Sequence, residues 1–153
     1  MLHIQVGELA PDFTLKDHHN KEFTLSELRG KKVLLSFHPL AWTKVCAQQM
    51  KSLEDNKEVF DKLNTVAVGF SVDTVPCKHA WAKDLKVWNT ALLCDFWPHG
   101  EVAQKFGMFR AEQGFTERAN IIVDEQGKVM FIKIYDIPTL PDIKEIIEFL
   151  KSS

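Results

Sequence analysis

Between Val33 and Met50 the chain reads VLLSFHPLAWTKVCAQQM, and this stretch limits the fold more than any other. The apolar run Val33 to Phe37 is that of a buried strand, and Pro39 ends its ladder because proline has no N–H to donate. From Trp42 onward Val45, Met50, Leu53, Val59, Phe60 and Leu63 form an imperfect helical stripe on an otherwise polar helix. A strand, a turn and a helix start therefore place Thr43 and Cys46, three residues apart, in the first turns of that helix. Unpaired N–H groups and the positive end of the helix dipole favour an anion there and shift a thiol toward thiolate. A free cysteine among apolar neighbours is also readable as a small buried hydrophobe.

The chain on either side of this unit extends the same pattern. Val6 to Leu15 and Phe23 to Leu28 flank DHHN as an N-terminal β-hairpin, and Ser26 caps a helical turn closed by Gly30. His18 and His19, beside Asp17, read as a solvated turn, since no further ligands follow at metal-binding spacing. Thr65 to Val72 is a second buried strand, after which Asp73 and Thr74 cap a helix with Pro76 in its first turn. Ala91 to Cys94 is an edge strand or extended loop, and Gly100 to Phe106 a short helix. Arg118 to Val123 and Lys128 to Tyr135 form a hairpin about DEQG, and Leu140-Pro141 opens a last helix with Ile143, Ile146, Ile147 and Leu150 on one stripe. The sum is one domain over residues 1–153, an α/β protein of thioredoxin-like order with a central mixed sheet flanked by helices.

Composition narrows the function classes. Nineteen basic against twenty-one acidic residues give a formal net charge of −2, so no strong field recruits nucleic acid or an acidic membrane. MLHIQVGELAPDF has neither a basic n-region nor a sustained apolar run, and no stretch reaches the length of a membrane span, so the expected location is cytoplasmic. Three cysteines, at 46, 77 and 94, are too few and too irregular for a secreted disulfide framework. Gln49 stands three residues after Cys46, which removes both a thioredoxin dithiol and zinc-knuckle spacing.

In open α/β folds, sites gather at the carboxyl ends of parallel strands, where Pro39 to Cys46 falls. Pro39 shields the sulfur without adding a competing donor, and the Thr43 hydroxyl both donates and accepts. A cation is needed to complete the site. Arg118, at the start of a later strand, is a candidate, with a surface ion pair to Glu117 or Glu112 as its other reading.

PLAWTKVC, residues 39–46, resembles the PxxxTxxC signature of the peroxiredoxins, in the alkyl hydroperoxide reductase and thiol-specific antioxidant superfamily. APDFTL at 10–15, SVD with His79-Ala-Trp81 at 71–81, and Arg118 ahead of IIVDEQGKV resemble the same family in the same order. The resemblance implies a thiol-dependent peroxidase for hydrogen peroxide and organic hydroperoxides, with Cys46 as nucleophile passing through a sulfenic acid. It further implies that Thr43 orients the peroxide, Pro39 shields the sulfur, and Arg118 stabilises thiolate and transition state. No metal or organic cofactor is called for; an external thiol, a thioredoxin-like protein or a small molecule, reduces the sulfenic acid. Phe37 and Trp42, with Trp81, are expected to line an apolar mouth. His38, turned by strand alternation to the face away from Phe37, is read as outside the chemistry.

Two departures from the family pattern stand out. Gln49 replaces a frequent glutamate, leaving the contact to the arginine neutral and weaker. Lys51 occupies the position of one subgroup's resolving cysteine, which leaves Cys77 as a possible resolving thiol and Cys94 behind it. A single-cysteine mechanism is the leading expectation, and a homodimer through the edge near the active-site loop accompanies it. A redox-responsive interaction protein and a thioredoxin-like disulfide exchanger are the competing readings.

Overall fold

The computed structural model describes residues 4–153. The first three residues, part of the N-terminal stretch expected to carry no leader, lie outside the described residues. Its centre is a seven-stranded mixed sheet in the order β2-β1-β5-β4-β3-β8-β9. The strands are β1 (Thr14–Asp17), β2 (Glu22–Thr24), β3 (Lys32–Phe37), β4 (Thr65–Ser71), β5 (Leu92–Cys94), β8 (Arg118–Val123) and β9 (Val129–Tyr135). β3 and β4 run parallel, with Phe37 opposite Phe70, while β8 lies antiparallel on the other side of β3, pairing Phe37 with Ala119.

Side-chain alternation divides the core into two layers. Val33, Leu35 and Phe37 of β3, with Ala119, Ile121 and Val123 of β8, pack on one face against Phe13, Leu25, Val102, Ala103 and Phe106. Leu34 and Ile122 face the other way, toward Cys46, Met50 and Leu53 of α1 (Lys44–Asp55), Phe60 of α2 (Lys57–Lys62), Trp81 and Ala82 of α3 (Val75–Leu85), and Ile146 and Leu150 of α5 (Ile143–Ser152). The short α4 (Glu101–Lys105) covers the first face. No described helix is long and apolar enough to cross a membrane.

Several expectations are corrected. The long helix after Thr43 breaks at Asn56, whose side-chain amide donates to the Ser52 carbonyl at 2.8 Å, and this accounts for the imperfect stripe. Thr24, not Ser26, precedes the short helical turn Leu25–Leu28; the Ser26 N–H instead donates to Asp12 Oδ1 at 2.9 Å. Ala91 to Cys94 is no edge: β5 is parallel to β4 and antiparallel to β1. His18 is buried, and its Nδ1 accepts the Leu92 N–H at 3.1 Å, so this half of the hairpin turn packs inward; burial pushes its pKa down to about 4. The last helix begins at Ile143, with the Asp142 carboxylate accepting the Lys144 N–H. A two-stranded ribbon, β6 (Phe109–Arg110) with β7 (Phe115–Thr116), carried no sequence signal beyond Gly114 and was not anticipated.

Candidate active site

The site forms where β3, α1 and β8 meet. β3 delivers the chain to His38 and Pro39, both buried, and Ala41 is tied down by its N–H donating to Asp73 Oδ2 at 2.9 Å. Trp42 takes a positive φ of 67°, an uncommon conformation for a bulky residue, and Thr43 follows in extended geometry as the residue capping α1. Cys46 is thus the third residue of α1, fully buried under its first turn.

Arg118, at the head of β8 and 2% exposed, reaches the same place. Its Nη1 donates to Gln49 Oε1 at 2.8 Å and lies 3.4 Å from Cys46 Sγ, while Nε donates to the Ile137 carbonyl at 2.7 Å. The alternative surface pairing does not form: Glu117 pairs with Arg110 at 2.6 Å. Nη2 has no protein partner among the described residues and remains available to a ligand.

Gln49 does more than the expected weak contact. Its amide nitrogen donates to Ser36 Oγ at 2.7 Å and to the Phe37 carbonyl at 3.1 Å, and Ser36 Oγ donates to Asn120 Oδ1 at 2.8 Å. Every polar atom of this buried amide is used, so the arginine is held at a fixed position without a carboxylate sharing its charge. Thr43 Oγ1 donates to the Leu40 carbonyl at 2.9 Å, which leaves its lone pairs free to accept.

A cavity of about 320 Å³ opens above these groups, lined by Pro39, Leu40, Thr43, Lys44, Val45, Phe115, Arg118, Ile137 and Pro138. Cys46 does not line this cavity; Arg118, 3.4 Å from its sulfur, does. The expected mouth residues are corrected here. Phe37 is 0% exposed and packs against Phe70 and Phe106 in the opposite layer, because β3 alternation turns odd-numbered residues away from α1. Trp42 is 55% exposed and stands outside the cavity. Trp81 is buried in the core. Phe115, on the two-residue β7, and Ile137 and Pro138, beyond β9, take their place and carry no periodic signal. The same parity places His38 on the face away from Phe37, as expected, and that face is the one Cys46 and Met50 share.

Of the other thiols, Cys77 is half-buried, in the first turn of α3, and directs its S–H to Asp73 Oδ1 at 3.7 Å; burial and then the Asp73 charge push its pKa up. Cys94 lies within the sheet, pushed up to about 12 by burial.

The sequence and the fold match known proteins. The AhpC/TSA family model covers residues 6–132. Alkyl hydroperoxide reductase E of Mycobacterium tuberculosis is 38% identical over 132 residues, 86% of each chain. Peroxiredoxin-2 of Mus musculus is 32% identical over 157 residues, 97% of this chain and 78% of that one. The crystal structure of a reduced 2-Cys peroxiredoxin from Plasmodium vivax superposes with a TM-score of 0.88 at 25% identity, over 95% of this chain and 80% of that one. The chain belongs to the AhpC/TSA family, with the thioredoxin-like fold of a peroxiredoxin. Its activity is that of a thiol-dependent peroxidase, using a peroxide and a thiol reductant.

Proposed function

We propose that Cys46 is the nucleophile of this peroxidase and that Thr43, Arg118 and Pro39 complete its site. The observation that carries this reading is the Arg118 guanidinium, 3.4 Å from Cys46 Sγ and fixed by Gln49, with one nitrogen left for a ligand at the cavity floor. The thiolate attacks one peroxide oxygen in line; the S–O bond forms as the O–O bond breaks. Sulfur supplies two electrons, the attacked oxygen stays on Cys46 as sulfenic acid, and the departing alkoxide or hydroxide takes a proton to leave as alcohol or water. Thr43 Oγ1 accepts the peroxide O–H, while Arg118 Nη2 donates to the oxygen on which charge grows, so both interactions strengthen in the transition state. Pro39 closes one side without offering a donor to the sulfur.

The apolar rim of Leu40, Val45, Phe115, Ile137 and Pro138 favours organic hydroperoxides beside hydrogen peroxide, in keeping with the name of the mycobacterial relative. An external thiol resolves the sulfenic acid in this reading. Cys77, hydrogen-bonded to a carboxylate that disfavours its thiolate, is the weaker resolving candidate. Trp42 and Trp97, 55% and 71% exposed, support pairing of two copies near the active-site loop, and the cytoplasm is the proposed compartment.

The test is intact mass after one equivalent of hydrogen peroxide, with and without a sulfenic-acid trap, for wild type and Cys46→Ser. A trap adduct on Cys46 alone is expected. Loss of two hydrogens without adduct would assign an internal disulfide, and equal reaction of Cys46→Ser would remove Cys46 from the chemistry.

A further inference from the structure

A second cation lies buried on the thiol face, and the peroxidase reading leaves it unused. Lys78, in the first turn of α3, is 0% exposed, as is His38, and Trp81 is 1% exposed. Lysine is almost never fully buried unless paired, yet no carboxylate lies within ion-pair distance of Lys78 among the described residues. Its side-chain nitrogen instead donates to His38 Nε2 and sits 5.0 Å from the centre of the Trp81 ring. His38 in turn is packed beside the thiol helix. A Cβ at Gly69 would press on Met50, one turn after Cys46, and meet His38 Cε1 at 3.4 Å, so glycine there lets the two side chains share the space.

The protonation states follow from this packing. Burial, then the Lys78 and Arg118 charges, hold the His38 pKa well below its usual value, so the ring is neutral and Nε2 is its acceptor. Burial pushes Lys78 down to about 8, which still leaves the ammonium form in excess at pH 7. The groups that face this pair are His18 beyond β1, Cys46 on α1, Asp73 before α3, Cys77 on α3, Cys94 on β5 and Arg118 on β8. Two cations thus confront a single carboxylate, and Asp73 already accepts from the Ala41 N–H and Ser71 Oγ. Cys46 shares one buried cluster with Met50 and with Trp81, the ring beside which the Lys78 nitrogen lies, and its sulfur is 3.4 Å from Arg118 Nη1, so both cations border the same thiol.

We propose that Lys78, held by His38, is a positioning residue of the peroxidase whose buried charge, added to that of Arg118, stabilises the Cys46 thiolate. This inference rests on Cys46 being the nucleophile, but its test does not. The rate of Cys46 alkylation by iodoacetamide is followed by peptide mass mapping from pH 5 to 10 for wild type, Lys78→Gln and Lys78→Met. Gln can still donate to His38 Nε2 without carrying charge, and Met replaces a buried charge with an apolar chain of similar length, a change that is often neutral or stabilising. In both variants the alkylation midpoint is expected to move up by about one pH unit, with a roughly tenfold slower reaction near pH 6. An unmoved midpoint in folded Lys78→Gln would overturn the proposal, as would a shift confined to Lys78→Met, which would locate the effect in the hydrogen bond. Peroxide turnover by Cys46→Ser, measured alongside, judges the nucleophile separately, because residual turnover there leaves the alkylation comparison intact.

Discussion

The two faces of β3 and β8 are built from alternate residues of the same strands and could hardly differ more. One face presents Leu35, Phe37, Ala119 and Ile121 to an aromatic layer in which Phe37 packs on Phe70 with ring centroids 4.5 Å apart. The other presents Ser36, His38, Arg118 and Asn120, all buried and linked with Gln49, Lys78 and Cys46 by hydrogen bonds. Burying polar groups costs free energy unless each finds a partner, so the second face needs geometry where the first needs only volume. The lesson is a division of labour within one sheet: the apolar layer fixes strand register, and the polar layer, held in that register, fixes the surroundings of the Cys46 thiol.

That contrast makes its largest prediction on the apolar side. Phe37→Ala should cost about 3–5 kcal/mol in urea unfolding, while the alkylation rate of Cys46 under native conditions stays as in wild type. A changed thiol profile in the folded variant would show that the two layers are not separable. Next comes Arg118→Met, expected to lower the second-order rate with hydrogen peroxide by roughly 10²–10³ while destabilising less than Phe37→Ala; stopped-flow tryptophan fluorescence and thermal melting give both numbers. Gln49→Leu should slow peroxide reduction by about tenfold and cost about 1–3 kcal/mol, because it strands Ser36 Oγ and frees Arg118 to move. The smallest effect is that of mild acid. His18 and His38 have folded pKa values below the usual 6.5, so the unfolded chain binds more protons and stability falls as pH drops from 6.5 toward about 4 for His18. Asp95, whose carboxyl burial pushes up to about 6, works in the opposite sense, losing stability as pH rises from 3.8 to 6. With two groups against one, the melting temperature should fall between pH 7 and pH 5, and a rise would mean that Asp95 outweighs the histidines.

Sequence patterning conveyed some of these features and hid others. Both core strands, the thiol in the first turns of a helix and the β8–β9 hairpin announce themselves through runs of apolar residues and turn chemistry. Strand parity separates His38 from Phe37, but parity alone does not say which face the next helix covers, and so it leaves Phe37 readable as part of a mouth it does not line. β5 has three residues, too few to distinguish an edge from the interior. Lys78 was invisible because a lysine in a helix reads as solvent-facing. The signal was Trp81 three residues on, a full-sized apolar residue on the same side of α3. The cavity rim was hidden for another reason: Phe115, Ile137 and Pro138 come together only once β7 and the chain beyond β9 are in place.

That rim has an evolutionary consequence. The sulfur and its arginine belong to the sheet and its first helix, whereas part of the wall of the opening is borrowed from two stretches remote in sequence from Cys46, Phe115 and 137–138. A lineage carrying this architecture can widen, narrow or re-polarise the opening one stretch at a time, by substitution or insertion in loops whose ends the strands already fix. Selectivity among peroxides can therefore drift quickly while the surroundings of Cys46 and Arg118 hardly change.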